Sequence, residues 1–190
     1  MQLENAIKER KSVRRFLDKK PDWRKIIRAI DLARFAPAAG NMFTTKFILV
    51  KDPERIKKLA DASQQDFVKS AHYVVAVVSD DEKLKKSYNE RGERYARQQA
   101  GAAIQNFLLA LVDQGLVTCW VGHFDDELVR SALGVPEDVF VEAFFPIGKE
   151  TKALAQSGEK AKPDLETVIY FDKWKNKLME PETRVTHEGS

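Results

Sequence analysis

The stretch "HYVVAVVSD", residues 72–80, decides the fold class. Residues Val74 to Val78 form an unbroken apolar run, four of the five β-branched, which favours an extended chain. A strand with one wet face would alternate apolar and polar residues. A continuous run instead predicts a strand covered on both faces. The flanking sequence supplies the covers. "DWRKIIRAIDLARFA" (22–36) sets Trp23, Ile26, Ile27, Ile30 and Ala33 near helical spacing, and Pro37 stops it. "KFILVKD" (46–52) reads as a second strand and "PERIKKLADA" (53–62) as a short surface helix.

Downstream, a long helix is expected from about Asp81 to Asp113. It carries Ile104, Phe107, Leu108 and Leu111 at i, i+3, i+4, i+7, and Gly115 serves as its stop. Ala100, Gly101, Ala102 and Ala103 on this helix are small. They permit close approach of another backbone, or simply favour helix. "VTCWVGHF" (117–124) reads as a strand, "DDELVRSALGVPED" as a capped helix ending at Gly134, and "FVEAFFPIGK" (140–149) as another strand. Residues 150–163 form a polar connection, "LETVIYFDKW" returns to an apolar pattern, and the chain after Lys175 is a charged tail. The order of elements predicts an α+β or mixed α/β domain with a few strands sandwiched among helices.

Composition narrows the function classes. The 190 residues carry 32 basic and 29 acidic side chains, a formal net charge of +3, with 43% hydrophobic residues. That balance argues against a nucleic-acid partner. The single cysteine excludes an internal disulfide and suits a reducing compartment. The opening "MQLENAIKERK" has no apolar h-region, and no run is long enough to span a bilayer, so a cytoplasmic location without membrane contact is expected. His72, His123 and His187 show no metal-site spacing, so no metal is expected. Neither GxGxxG nor a GxxxxGK[ST] loop occurs.

One cluster stands apart. "KERKSVRRF" (8–16) gathers Lys8, Arg10, Lys11, Arg14 and Arg15 around Ser12. By itself this is either a solvated charge run or an anion site, since guanidinium forks and a hydroxyl suit phosphate oxygens.

Three blocks then fall in order: "RKSVRRF" (10–16), "FAPAAGNMFTTKFILV" (35–50) and "GLVTCWVGHF" (115–124), followed by "LGVPED…FFPIGK". In this order they resemble the nitroreductase family of flavin mononucleotide (FMN) enzymes, over about residues 7–174. The resemblance implies an α+β fold with a central, mostly antiparallel sheet flanked by helices. It further implies a homodimer with two shared FMN sites at its interface, the small-residue helix being a candidate for close packing there. On this basis residues 1–175 are expected to form one FMN-binding domain and 176–190 a charged tail.

The resemblance also assigns the site. Arg10 and Ser12 would hold the phosphate and ribityl end, and Arg14 the pyrimidine edge of the isoalloxazine. Lys11 is a weaker member of the same set. Pro37, Ala39 and Asn41 occupy the family's A-P-S-x-x-N turn, which touches the flavin of the other protomer. Alanine replaces the usual serine, and "NMFTT" replaces N-x-Q-P-W. Capping of the turn is the alternative role for Asn41. Val121 and Gly122 would present backbone amides to flavin N5 and O4, and Gly122 lets the backbone approach the ring. Cys119 and Trp120 are assigned to the core, while His123 faces either the pocket or solvent. Near the C-terminus Lys162, or failing that Lys160, would close on the phosphate.

The implied activity is FMN-dependent NAD(P)H oxidation, NADH or NADPH giving a hydride to flavin N5. A nitroaromatic, quinone or flavin acceptor is then reduced in a ping-pong cycle. No side chain is expected to act as acid, base or nucleophile, because the cofactor carries the chemistry. A flavin-destroying or dehalogenating enzyme, or a non-catalytic flavin-binding protein, are the rival readings.

Overall fold

The computed structural model describes residues 1–150 and 163–176, and the chain divides into two compact units, Met1–Gln156 and Ser157–Ser190. In the first unit α1 (Leu3–Glu9) leads to α2 (Trp23–Ala33), whose N-cap Asp22 accepts a hydrogen bond from the Arg24 amide. Then come β1 (Thr45–Val50), α3 (Pro53–Ser63, with Asp52 capping and Pro53 opening the helix) and β2 (Tyr73–Ser79). Helices α4 (Glu82–Tyr88) and α5 (Glu90–Asp113), β3 (Val117–Thr118), α6 (Asp126–Leu133) and β4 (Phe140–Gly148) complete it. The second unit contains α7 (Leu165–Val168).

The four strands form one antiparallel sheet in the order β1-β2-β4-β3. Every residue of β2 is buried, as the unbroken apolar run requires. Because strand side chains alternate faces, β2 feeds two cores. Tyr73, Val75 and Val77 join Ile26 and Ala29 of α2 with Ile104, Phe107 and Leu111 of α5. Val74, Ala76 and Val78 join Ile56 and Leu59 of α3 with Val129 and Ala132 of α6.

Three local features depart from the sequence reading. The expected single helix from Asp81 to Asp113 is broken at Asn89 (φ 51°, ψ −134°) into α4 and α5. Asparagine tolerates positive φ. The elbow is tight: a Cβ on Gly92 would lie 2.4 Å from the Leu84 carbonyl group, so only glycine fits. The expected strand over 117–124 forms a ladder only at Val117–Thr118, then a single bridge of Val121 to Phe144. The register explains the gap, because Cys119 would face Pro146, which has no N–H to donate. Within this gap Trp120 is 44% exposed, not a core residue, while Cys119 is buried as expected. Finally α1 is a helix that the sequence reading did not anticipate, with only Ala6 buried.

Candidate functional site

The basic block "RKSVRRF" runs beside β3. Ser12 forms a parallel bridge with Thr118, and the Val13 amide donates to the Thr118 carbonyl at 2.9 Å. Val13 is buried and pins the segment, while Ser12, Arg14 and Arg15 are exposed. Phe16 anchors its far end: the ring lies over Gly148, where a Cβ would come within 2.4 Å of Cδ1, and the Leu17 amide donates to the Lys149 carbonyl at 2.9 Å. Two of the three sequence blocks are thereby brought side by side.

Arg10 and Lys11 line a cleft of about 220 Å³ with Val117, Thr118 and the C-terminal half of α5. Among the described residues neither Arg10 nor Ser12 has a side-chain hydrogen bond or ion pair, so their donors are available to an anion. Arg14 lies over the Phe67 ring at 5.9 Å, a cation–π contact that leaves its N–H groups free to donate. Lys11 is different. Its ammonium pairs with Glu150 at 2.8 Å, a carboxylate with a side chain only 10% exposed, and this neutralises its pull on a phosphate.

The loop after β3 narrows the amide donors. The Val121 N–H, one of the two amides expected at a flavin, donates to the Phe144 carbonyl at 3.0 Å and is engaged by the sheet. Gly122, exposed and one residue beyond, makes no such bond among the described residues and is the remaining backbone donor. Trp120 packs edge-on to Phe145 (5.4 Å). Its indole nitrogen would lie 3.3 Å from a Cβ on Gly122, so the Gly122 backbone is shielded by Trp120 on one side and open on the other. His123 is exposed.

The second block forms an exposed turn. Ala39–Asn41 is a 3-10 turn in which Gly40 (φ 56°) and Asn41 (φ 57°) are both left-handed. Pro37 and Asn41 are exposed and Ala39 is half-buried. Among the described residues no hydrogen bond or ion pair joins this turn to the basic block. Instead it is tied to the α4–α5 elbow, where a Cβ on Gly40 would lie 2.6 Å from the Tyr88 hydroxyl. Lys160 and Lys162 lie outside the described residues.

Sequence reasoning missed a buried polar group here. Gln99 on α5 accepts hydrogen bonds from the Thr44 and Thr45 amides at 2.6 and 3.2 Å and donates to the Met42 carbonyl at 2.9 Å. Its signal was a glutamine within the otherwise small and apolar buried face of α5. Nearby, Glu142 is the extra residue of a β-bulge opposite Val77 and Val78. It accepts from Arg97 at 2.7 Å and from the Ser79 hydroxyl at 2.6 Å, while the Arg97 guanidinium lies 3.6 Å from the Phe140 ring centroid.

The small-residue face of α5 divides in two. Ala100 and Ala103 are buried in the domain, whereas a Cβ on Gly101 would meet nothing within 4 Å. Leu3, Ile7, Ile27 and Phe35 are also exposed large apolar side chains. Among the described residues no cluster of His, Cys, Asp and Glu is placed to hold a metal ion, and no helix is long and apolar enough to cross a membrane.

Comparison with known proteins follows this geometry. The family model described as "Nitroreductase family" matches residues 7–70 and 59–149. A protein of Archaeoglobus fulgidus, named provisionally as an NADH dehydrogenase/NAD(P)H nitroreductase, is 29% identical over 172 residues, 87% of this chain and 94% of that protein. The iodotyrosine deiodinase of Thermotoga neapolitana is 25% identical over 162 residues, 77% of this chain and 87% of its own length. The crystal structure of a nitroreductase family protein from Clostridium novyi NT matches with a TM-score of 0.74 at 26% identity, covering 96% of this chain and 99% of that one.

Proposed function

The chain belongs to the nitroreductase family, and we propose that it is an FMN-dependent oxidoreductase that uses NADH or NADPH to reduce a nitroaromatic, quinone or flavin acceptor. One observation carries the cofactor reading: the Ser12–Thr118 bridge sets the unpaired donors of Arg10, Ser12 and Arg14 beside the loop holding the unpaired Gly122 amide. This donor set fits FMN chemically. Guanidinium and hydroxyl groups match a phosphate, and a bare glycine amide matches the carbonyl and nitrogen edge of a flavin ring.

In the bound state, Arg10 and Ser12 hold the phosphate and ribityl end. Arg14 would hold the pyrimidine edge, where its positive charge would favour reduction of the ring. Gly122 donates from its backbone at the reactive edge, orienting the ring without a side chain in the way. When bound, FMN would supply the redox chemistry of a ping-pong cycle between nicotinamide and acceptor, which the side chains present do not. Lys11, paired with Glu150, tunes the charge of the cleft rather than binding phosphate directly. Lys160 and Lys162 remain candidates for closing on the phosphate.

The Pro37–Ala39–Asn41 turn completes the site of a second protomer in a homodimer. Support comes from its exposure, from the exposed apolar side chains Leu3 and Ile7 on α1 and Ile27 and Leu32 on α2, and from the open space over Gly101. A stable dimer of this kind buries more than about 2,000 Å².

The test begins with the absorption spectrum of the purified protein and titration with FMN and riboflavin. Anaerobic reduction by NADH and NADPH and reoxidation by a panel of acceptors follow, with light scattering across a dilution series. A protein that does not prefer FMN over riboflavin overturns the cofactor reading. A monomer retaining stoichiometric FMN and full activity overturns the shared site. The likeness to the iodotyrosine deiodinase favours a second reading, reductive dehalogenation of a halogenated phenol at the same flavin. Iodide release from iodotyrosine under anaerobic turnover distinguishes it.

A further inference from the structure

We infer that Gln99 is a positioning residue that holds the Asn41 turn in its cofactor-binding shape, through the segment Met42–Thr45 that follows the turn. The inference rests on the reading of Asn41 as a flavin contact. Gly40 and Asn41 are consecutive left-handed residues on an exposed turn. Left-handed backbone at a non-glycine residue persists only where the surroundings over-determine it. Here the Ala38 and Ala39 carbonyls accept from the Asn41 and Met42 amides, Tyr88 lies over Gly40, and Gln99 holds the segment that leaves the turn.

After Asn41 the chain runs extended into β1, and Gln99 takes the place of a neighbouring strand for it. The amide oxygen accepts from the Thr44 N–H (2.6 Å) and the Thr45 N–H (3.2 Å), with the two threonine hydroxyls at 3.1 and 3.3 Å. The amide nitrogen donates to the Met42 carbonyl at 2.9 Å. This fixes the orientation of the amide, since the flipped form would set oxygen against oxygen and N–H against N–H. Gln99 is only 3% exposed, so water cannot replace it, and the surrounding low dielectric makes each lost partner costly. Thr44 is held from the other side as well, its carbonyl accepting from the Asp80 amide at 3.1 Å.

An apolar residue would suit this position if packing were the only need, because its neighbours on the same helix, Ala96, Ala100 and Ala103, are buried and small. A glutamine there costs desolvation unless all its hydrogen-bonding capacity is used. Every hydrogen bond its side chain makes among the described residues runs to Met42, Thr44 or Thr45. α5 therefore sets the position of Asn41 without touching the flavin.

The experiment compares Gln99→Met, Gln99→Asn and the exposed neighbour Gln98→Ala with the full-length wild type. FMN affinity is measured by fluorescence titration, steady-state rates at saturating FMN, and amide hydrogen exchange over residues 40–50. Gln99→Met leaves two amides and one carbonyl unsatisfied, so FMN binding weakens about tenfold or more. Exchange at Thr44 and Thr45 accelerates while β2 stays protected, and kcat at saturating FMN stays within about twofold. Gln99→Asn, whose shorter amide cannot span Met42 and Thr45 together, shows the same direction if Gln99→Met does not fold. Gln98→Ala matches wild type. An unchanged FMN dissociation constant in a folded Gln99 variant overturns the positioning role. Unchanged exchange at Thr44 and Thr45 overturns the clamp itself, whatever the ligand. A wild-type protein that takes up no FMN instead overturns the cofactor reading, and the exchange measurement still judges the clamp.

Discussion

Replacing Gly148 by alanine tests whether the sheet edge holds the basic block in place. A Cβ at this position would lie 2.4, 2.5 and 2.7 Å from Cδ1, Cγ and Cβ of Phe16. Ordinary carbon contacts lie near 3.5–4.0 Å, so the ring must retreat by about 1 Å. It cannot do so by shifting the backbone freely, because the Leu17 amide is bonded to the Lys149 carbonyl at 2.9 Å. Nor does the ring swing without loss, since it packs against Phe67 at 6.4 Å. Overpacking of this kind costs about 1–3 kcal/mol. With a urea slope of about 1–3 kcal/mol per molar for a small domain, the unfolding midpoint falls by roughly 1 M. FMN affinity drops too, because Phe16 lies two residues after Arg14. Equilibrium urea unfolding of Gly148→Ala, Phe16→Ala and the double variant forms the cycle. In the Phe16→Ala background two of the three close atoms are gone and only the Cβ of residue 16, at 2.7 Å, still crowds the added methyl, so its cost shrinks. A midpoint for Gly148→Ala equal to wild type, or the same loss in both backgrounds, refutes the reasoning.

Arg10→Ala removes one charged donor set without disturbing the apo fold, so FMN weakens by about one to two orders of magnitude while apo-protein unfolding is unchanged; unchanged affinity returns the arginines to a solvated face. Gly122→Ala places its methyl about 3.3 Å from the Trp120 indole nitrogen, so stability changes by less than about 0.5 kcal/mol, yet FMN binding weakens at least about tenfold by titration. Asp66 is hydrogen-bonded to Lys69 at 2.8 Å, which holds its carboxyl below the usual Asp value. Its small contribution is present above the ordinary Asp pKa and lost as pH falls through the lowered one, and an NMR titration of Lys69→Met returns the Asp66 midpoint towards the ordinary value.

Much of the scaffold was legible because hydrophobic pattern and caps agree. The run Val74–Val78 is buried on both faces, α2 stops before Pro37, and α6 runs from its Asp125 cap to the left-handed Gly134. The misreadings share a cause. Pattern recognises where apolar surface goes but not where the backbone loses a partner. Asn89 breaks a helix whose apolar spacing continues across it, and α1 buries too little to show a stripe. Val121 carries no mark of its partner in the sequence, yet it pairs with Phe144, twenty-three residues further along the chain, a partnership that only tertiary structure can set. Lys11 similarly reads as one more cation until Glu150 is found beside it.

The same departures from regularity lie where the function is proposed. Pro146 has no N–H, so the β3–β4 ladder opens opposite Cys119 and closes again at Val121. The opening turns Trp120 outward against the Gly122 backbone, and it leaves the Gly122 amide beyond the last pairing. Val121 exchanges both of its backbone bonds with Phe144, so the next amide, that of Gly122, points away from β4 at the edge of the sheet. On the other side of the molecule's sequence, the Asn89 elbow brings Tyr88 onto Gly40, and α5 beyond the elbow brings Gln99 onto Met42–Thr45. Each irregularity exchanges a backbone partner within the fold for an exposed group with a fixed direction. Natural sequences break local rules mainly at functional sites. Pro146→Ala would restore the missing donor to β4 opposite Cys119 without changing the register that Val117, Thr118 and Val121 already share; slow hydrogen exchange of the new amide is the expected result, and exchange as fast as in an unfolded peptide would refute this account of the gap.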